Sequence, residues 1–255
     1  MQLIDTHTHL FLPEFDTDRD EMVNRAVSSG VVKLLMPNID IHTVDAMLSA
    51  DDRYEGICLP MIGLHPTSVS DDFISQLDML EDIAAKHKFI AVGETGIDLY
   101  WDKTHLDRQS EAFRRQVAFA IRSDLPVVIH SRNAVGEVFS LVDEFRGEKL
   151  RGVLHAFSGD CRDAEKAIEL GFMLGIGGPV TFKNSQLDTI VKAVGPEHVI
   201  LETDAPYLAP VPYRGKRNES SYICIINKRL AEILEMSEEE TAGITYENSC
   251  RLFNI

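Results

Sequence analysis

No apolar stretch in this chain of 255 residues approaches the roughly 20 residues that span a bilayer, so no helical membrane anchor and no membrane partner are expected. The opening residues, Met1-Gln2-Leu3-Ile4-Asp5, lack the basic and apolar regions of a secretory signal, and a cytoplasmic protein is expected. Cysteine is sparse. Cys58, Cys161, Cys224 and Cys250 are widely spread and form no Cys-x-x-Cys pair, which argues for reduced structural thiols rather than disulfides or a thiolate metal site. Positive charge is also in deficit: 25 Lys and Arg face 41 Asp and Glu, for a formal net charge of -16. Such a balance repels polyanions at long range and argues against a protein that coats nucleic acid, though not against an enzyme that neutralises a few phosphates locally. Ser/Gly-rich linkers and low-complexity segments are missing too, so residues 1–255 are expected to form one domain.

What is present is an alternation of short apolar runs and longer amphipathic ones. Strands are expected at 3–6, 31–37, 57–64, 89–93, 126–129, 150–154, 172–176 and 198–201. Helices are expected at 16–29, 41–50, 74–86, 106–123, 134–145, 161–170, 187–194 and 221–235. A last helix over 237–253 opens on the capping box Ser237-Glu238-Glu239-Glu240 and is expected to pack under the barrel. Eight strand–helix repeats with almost continuously apolar strands imply an α/β fold, a single (β/α)8 TIM-like barrel with extra C-terminal helices. An open doubly wound sheet would need a glycine-rich phosphate motif after the first strand, and Asp5-Thr6-His7-Thr8-His9 is not one.

In a barrel of this kind the active site is built at the C-terminal ends of the strands. Read to their ends, the strands run into His7 and His9, His65, Glu94, His130, His155, and Glu202 with Asp204. Residues two apart on an extended segment point the same way, so His7 and His9 can reach one ion. Imidazoles and carboxylates without a thiolate suit borderline or hard divalent ions. Six candidate ligands exceed what one catalytic ion takes, since such a site keeps a position open. Two divalent ions per subunit (Mg, Mn or Zn) are therefore expected, with His7, His9 and Asp204 on one, His130 and His155 on the other, and Glu94 between them. His42, His87, His105 and His198 fall on helices, loops or a strand's beginning and are read as structural or exposed.

Asp5-Thr6-His7-Thr8-His9, Gly93-Glu94-Thr95-Gly96-Ile97-Asp98, His130-Ser131-Arg132, His155-Ala156-Phe157-Ser158-Gly159 and Glu202-Thr203-Asp204-Ala205-Pro206-Tyr207-Leu208 together resemble the TatD family of metal-dependent deoxyribonucleases. Residues 212–219, Pro-Tyr-Arg-Gly-Lys-Arg-Asn-Glu, continue the likeness, which covers nearly the whole chain in order. The resemblance implies a barrel of the amidohydrolase type, a divalent-metal site with the ligands named above, and hydrolysis of nucleic-acid phosphodiesters, DNA above all. Many members of the wider superfamily bridge their metals with a modified lysine on strand four, and here that position is Glu94. Ser220-Ser221 departs from the family's usual Pro-Ala, which bears on loop shape and substrate preference rather than on the metal site.

Two such ions lower the pKa of a bridging water and clamp a phosphate oxygen, so the expected reaction is in-line attack of the resulting hydroxide on phosphorus. Asp204 is expected to accept the proton, and Glu202 to orient a ligand. His65 is expected either to contact substrate or to support the site. Arg132, Arg214, Lys216 and Arg217 are candidate phosphate contacts, because arginine's planar fork donates two parallel hydrogen bonds, although a short basic run is equally a solvated loop. Tyr100 and Trp101 stack on a base or simply cover the mouth. The same nucleophile attacks carbonyls, so an esterase or amidohydrolase acting on an aminoacyl-tRNA ester or a lactone is the alternative. A metal-binding barrel without activity is a third reading. No obligate protein partner is expected.

Overall fold

Eight parallel strands run through the computed structural model, which describes residues 1–101 and 103–255: β1 (Leu3–Asp5), β2 (Val31–Pro37), β3 (Cys58–Met61), β4 (Val92–Asp98), β5 (Val127–Arg132), β6 (Gly152–Leu154), β7 (Phe172–Ile176) and β8 (Val199–Leu201). They pair in chain order as β1–β2–β3 and β4 through β8. Two seams complete the barrel. Between β3 and β4, Ile90 N donates to Pro60 O at 3.1 Å and Gly93 N to Ile62 O at 2.9 Å. Between β8 and β1, Thr6 N donates to Leu201 O at 3.1 Å, and a bridge joins Thr8 to Ala205.

The strands are buried on both faces, which their near-continuous apolar sequences require. Ile4, Leu35, Met61, Ala91, Val128, Val153 and Ile200 fill the barrel interior. Leu3, Leu34, Cys58, Val127, Leu174 and Val199 face the surrounding helices. These helices are α1 (Arg19–Ser28), α2 (Val44–Arg53), α3 (Phe73–Ala84), α4 (Leu106–Arg122), α5 (Val135–Val142), α6 (Cys161–Glu169), α7 (Leu187–Val194) and α8 (Ile223–Leu234). The last helix, α9 (Glu238–Phe253), begins at the capping box foreseen at Ser237: Glu240 N donates to Ser237 Oγ at 3.2 Å and Ser237 N to Glu240 Oε2 at 3.0 Å. Its far end places Leu252 and Phe253 in the interior cluster, and Asn248 Nδ2 donates to Pro196 O and Val199 O, so α9 stoppers the barrel at the N-terminal end of β8.

Three of the differences from expectation have a clear physical cause. β4 runs five residues past Gly93 because its polar residues find partners. Gln116 Nε2 on α4 donates to Thr95 Oγ1 at 2.7 Å, and Asp98 N donates to Gln109 Oε1 at 2.8 Å. Gly96 belongs to the same stretch: φ is +143° and a Cβ there would stand 2.0 Å from His130 O, so the close register of β4 on β5 requires glycine. β3 stops at Met61 rather than 64, because the Asn38 side chain replaces the ladder, accepting from Gly63 N at 2.6 Å and donating to Gly63 O at 2.8 Å. α2 starts three residues late, because Asp40 Oδ1 accepts from His42 N and Thr43 N and holds a turn first.

Candidate metal centre

The backbone seam between β1 and β8 sets three candidate ligands against one another. Asp204 N donates to His7 O at 2.9 Å, and His9 N to Ala205 O at 2.8 Å. Beneath them the buried Asp5 accepts from Thr203 N at 2.9 Å and Thr203 Oγ1 at 2.6 Å; burial pushes its carboxyl up to about 7 against these hydrogen bonds. His155 directly follows β6, held by its N–H to Ile129 O at 2.9 Å. Glu94 lies inside β4, and His130 lies inside β5, paired with Gly96.

Around Glu94 the side chains converge. His7 Nε2 lies 3.1 Å from Glu94 Oε2 and 3.2 Å from His9 Nε2. His130 Nδ1 lies 2.9 Å from Glu94 Oε1, His65 Nε2 3.5 Å, and His155 Nε2 3.7 Å. Asp204 Oδ1 completes the ring at 3.6 Å from His9 Nε2, 3.8 Å from His7 Nε2 and 3.9 Å from His155 Nε2. Among the described residues three groups present ligand atoms within 4.8 Å of one another: His7 with His155 and Asp204, His7 with His9 and Glu94, and His65 with Glu94 and His130. His155 stacks on His7, with ring centroids 3.5 Å apart, and so sits beside Asp204 as well as Glu94. His65, expected at substrate or in support, stands beside Glu94 on the His130 side.

His9, His155 and His130 are each aimed by a second contact, whereas His7 Nδ1 has no hydrogen-bond partner. His9 Nδ1 lies 3.1 Å from Pro37 O. Glu202 Oε1 accepts from Ala156 N at 2.7 Å and stands 3.0 Å from His155 Nδ1, though out of line for a hydrogen bond. Glu202 fits there because its neighbour is Gly175, where a Cβ would meet Glu202 Oε2 at 2.3 Å. Asp98 Oδ2 holds His130 Nε2 at 2.9 Å, while its Oδ1 accepts from Tyr100 N and Trp101 N. Asp98 is the site residue that reasoning from sequence missed. Ending strand four at Gly93 hid it, although the two-residue alternation from Glu94 through Gly96 places it on the same face.

Protonation follows from these contacts. Burial and the neighbouring His155 hold His7 neutral, as a ligand must be. Burial would also depress His155, but Glu202 and Glu94 outweigh it and raise its pKa to about 10. For His130, burial is outweighed by Asp98 and Glu94, and its pKa rises. Glu94 stays ionised, well below the ordinary carboxylate range, because the surrounding imidazoles overcome burial. A buried, nitrogen- and oxygen-only donor set with a neutral imidazole at its middle, whose Nδ1 has no hydrogen-bond partner, fits divalent cations.

The basic candidates separate. Arg132 is exposed and lies over the Tyr100 ring at 3.9 Å, close to Trp101 at 5.7 Å. Arg214 is exposed and rests over Phe182 at 4.5 Å, and Lys216 is exposed. Arg217 is committed elsewhere: its fork grips both oxygens of Asp18, at 2.6 and 2.7 Å, and Glu14 O at 2.7 Å. The Asn218-Glu219 pair that follows is also internal bracing. Asn218 Nδ2 donates to Thr203 O and Tyr207 O, and Glu219 receives Arg25. Ser220, where the family's usual residue is proline, is buried with its hydroxyl 3.2 Å from Thr8 Oγ1. His42 and His87 are exposed, while His105 precedes α4 and His198 precedes β8.

A parallel barrel with imidazoles and carboxylates gathered at its mouth defines a metal-dependent hydrolase. The chain belongs to the TatD related DNase family, whose description matches residues 4–254. It is 38% identical over 254 residues to the uncharacterized metal-dependent hydrolase YabD of Bacillus subtilis, covering 99% of each chain. The uncharacterized metal-dependent hydrolase TatD of Mycobacterium tuberculosis is 31% identical over 264 residues, covering 99% of this chain and 98% of that one. The crystal structure of YjjV, a TatD homologue from Escherichia coli, superposes with a TM-score of 0.93 at 28% identity over 99% of this chain and 98% of that one. An organophosphorus hydrolase from Deinococcus radiodurans, at 12% identity and a TM-score of 0.70, shares the fold.

Proposed function

We propose that the protein hydrolyses phosphodiester bonds of nucleic acid, DNA first, at a two-cation centre. The observation that carries this reading is the single carboxylate of Glu94, set among His7, His9, His65, His130 and His155 within 3.7 Å. His7, His9 and Asp204 would hold one cation and His130 and His155 the other, with Glu94 facing both groups; His65 stands by on the His130 side. Divalent cations, when bound there, supply Lewis acidity and a water acidic enough to serve as a nucleophile near neutral pH. Asp204, ionised because the His9 hydrogen bond and the charges of His155 and His7 overcome burial, takes the proton at Oδ1. Glu202 and Asp98 keep the His155 and His130 rings from turning. Arg132 and Arg214, the exposed guanidiniums, meet the charge of the substrate's phosphates, with Lys216 beside them. Arg217, whose fork is taken by Asp18, braces the loop instead. The family description supports DNA as the substrate class.

The test sets purified protein, stripped by chelator and reloaded with Mn²⁺, Mg²⁺ or Zn²⁺, against DNA, aminoacyl-tRNA and simple esters. Metal-dependent cleavage of DNA is expected, abolished by chelation and restored by reloading. Cleavage of an ester with DNA left intact refutes the proposal.

Metal uptake carries a predictable pH dependence. In the metal-free fold His155 keeps its proton to about pH 10, so an ion must displace it. Apparent affinity is therefore expected to climb from pH 6 to 8 by about tenfold per unit for each proton released. Calorimetry in two buffers of different ionisation enthalpy reads the proton count directly. Equal heats in both buffers would contradict a protonated His155.

A further inference from the structure

Beside the metal centre, between the loops that follow β5, β6 and β7, lies a cavity of about 590 Å³, with His155 and Ser131 in its wall. This is the size of a small-molecule site. Its walls have a consistent chemistry. The floor is apolar, made by the buried side chains of Leu154, Phe157, Leu187 and Ile190. The rim carries the exposed amides of Asn133, Asn184 and Gln186, which can each donate and accept. Ser131, next to His130, also lines the cavity, and its shielded hydroxyl has no hydrogen-bond partner.

The cavity is a poor place for phosphate. No lysine or arginine lines it, whereas Glu137, Asp160 and Asp163 do. At the start of α6 the N–H groups of Arg162 and Asp163 are already given to Asp160 at 2.7 and 2.9 Å. Phosphate is thus left to the centre and the exposed arginines, and the cavity suits an uncharged ring system with a polar edge. We infer that this cavity receives the nucleoside attached to the scissile phosphate, with its ring on the Leu154–Phe157 floor and its polar edge read by Asn133, Asn184 and Gln186. The assignment rests on the nuclease reading and adds to it a site of specificity distinct from the groups that do the chemistry.

Two fillers test it. Gly136 lies on the cavity wall in the first turn of α5, and a Cβ there meets nothing within 4 Å, so Gly136→Leu should fold. Asn184→Trp fills from the opposite, exposed wall. Each protein is assayed on thymidine 5′-(p-nitrophenyl phosphate) and on bis(p-nitrophenyl) phosphate, which has the same kind of bond and no nucleoside. The ratio of kcat/KM for the two esters is expected to fall about tenfold in both fillers, mainly through KM for the nucleoside ester. A ratio unchanged in both fillers overturns the inference. If the wild-type protein hydrolyses neither ester, the nuclease reading has failed, and the pocket is judged by magnetic-resonance titration with thymidine. Binding to wild type that the fillers abolish upholds the pocket; no binding to wild type overturns it.

Discussion

Glu94→Gln is expected to lower turnover by ~10³-fold or more, the scale on which removing one member of a group that acts as a unit is felt. The substitution keeps volume and shape and removes one negative charge. That charge faces His7, His65, His130 and His155, and its side chain is almost wholly excluded from water. Glutamine can still offer one oxygen, but its NH₂ group then faces either His7 Nε2, now 3.1 Å from one carboxylate oxygen, or His130 Nδ1, 2.9 Å from the other. In the metal-free protein the same change lowers the proton affinity of His130 and His155, which Glu94 helps to raise. Measured together, metal content by plasma emission and secondary structure by circular dichroism should show a folded protein that retains less than its full complement of ions. A Glu94→Gln protein with wild-type metal content and wild-type turnover would remove Glu94 from the centre altogether.

The second large effect starts three strands away. Gly175 in β7 has no room for a methyl group: its Cβ would stand 2.3 Å from Glu202 Oε2, 2.9 Å from Glu202 Cδ and 3.2 Å from His155 Cα. Glu202 is 1% exposed and cannot swing into solvent, so Gly175→Ala should both strain the barrel and misalign His155. Overpacking of this kind costs about 1–3 kcal/mol. Loss of a partner that orients a metal ligand typically costs ~10–100-fold in metal affinity. Thermal melting and metal titration of the variant read the two effects separately. Shortening the clashing side chain gives the decisive comparison. Glu202→Asp combined with Gly175→Ala should recover stability relative to Gly175→Ala alone, a coupling that two independent sites would not show. Additive losses would mean that the methyl group acts through some other contact.

Much of this site was legible in the chain because metal ligands lie at strand ends, where an apolar run stops on an imidazole. β2 and β7 fall on the expected residues, and so does α7, since their apolar patterns begin and end cleanly. The part of β4 beyond Gly93 was hidden because Glu94, Thr95 and Asp98 are polar, and only the partners supplied by α4 and by the opposing histidines make a strand of them. The error also concealed Asp98. Spacing along a strand also does not encode that His155 stacks on His7 and so stands beside Asp204 as well as Glu94. Nor does a run such as Arg214-Gly215-Lys216-Arg217 disclose that its last guanidinium is claimed by Asp18, nearly two hundred residues earlier.

The seam between β1 and β8 has a temporal consequence. His7 and His9 on one side and Asp204 on the other lie far apart in the sequence, and Leu252 and Phe253, which stopper the barrel, lie further on still. A folding chain therefore brings these three side chains together only once β8 has closed on β1, and a substitution that loosens the seam is felt by all three at once.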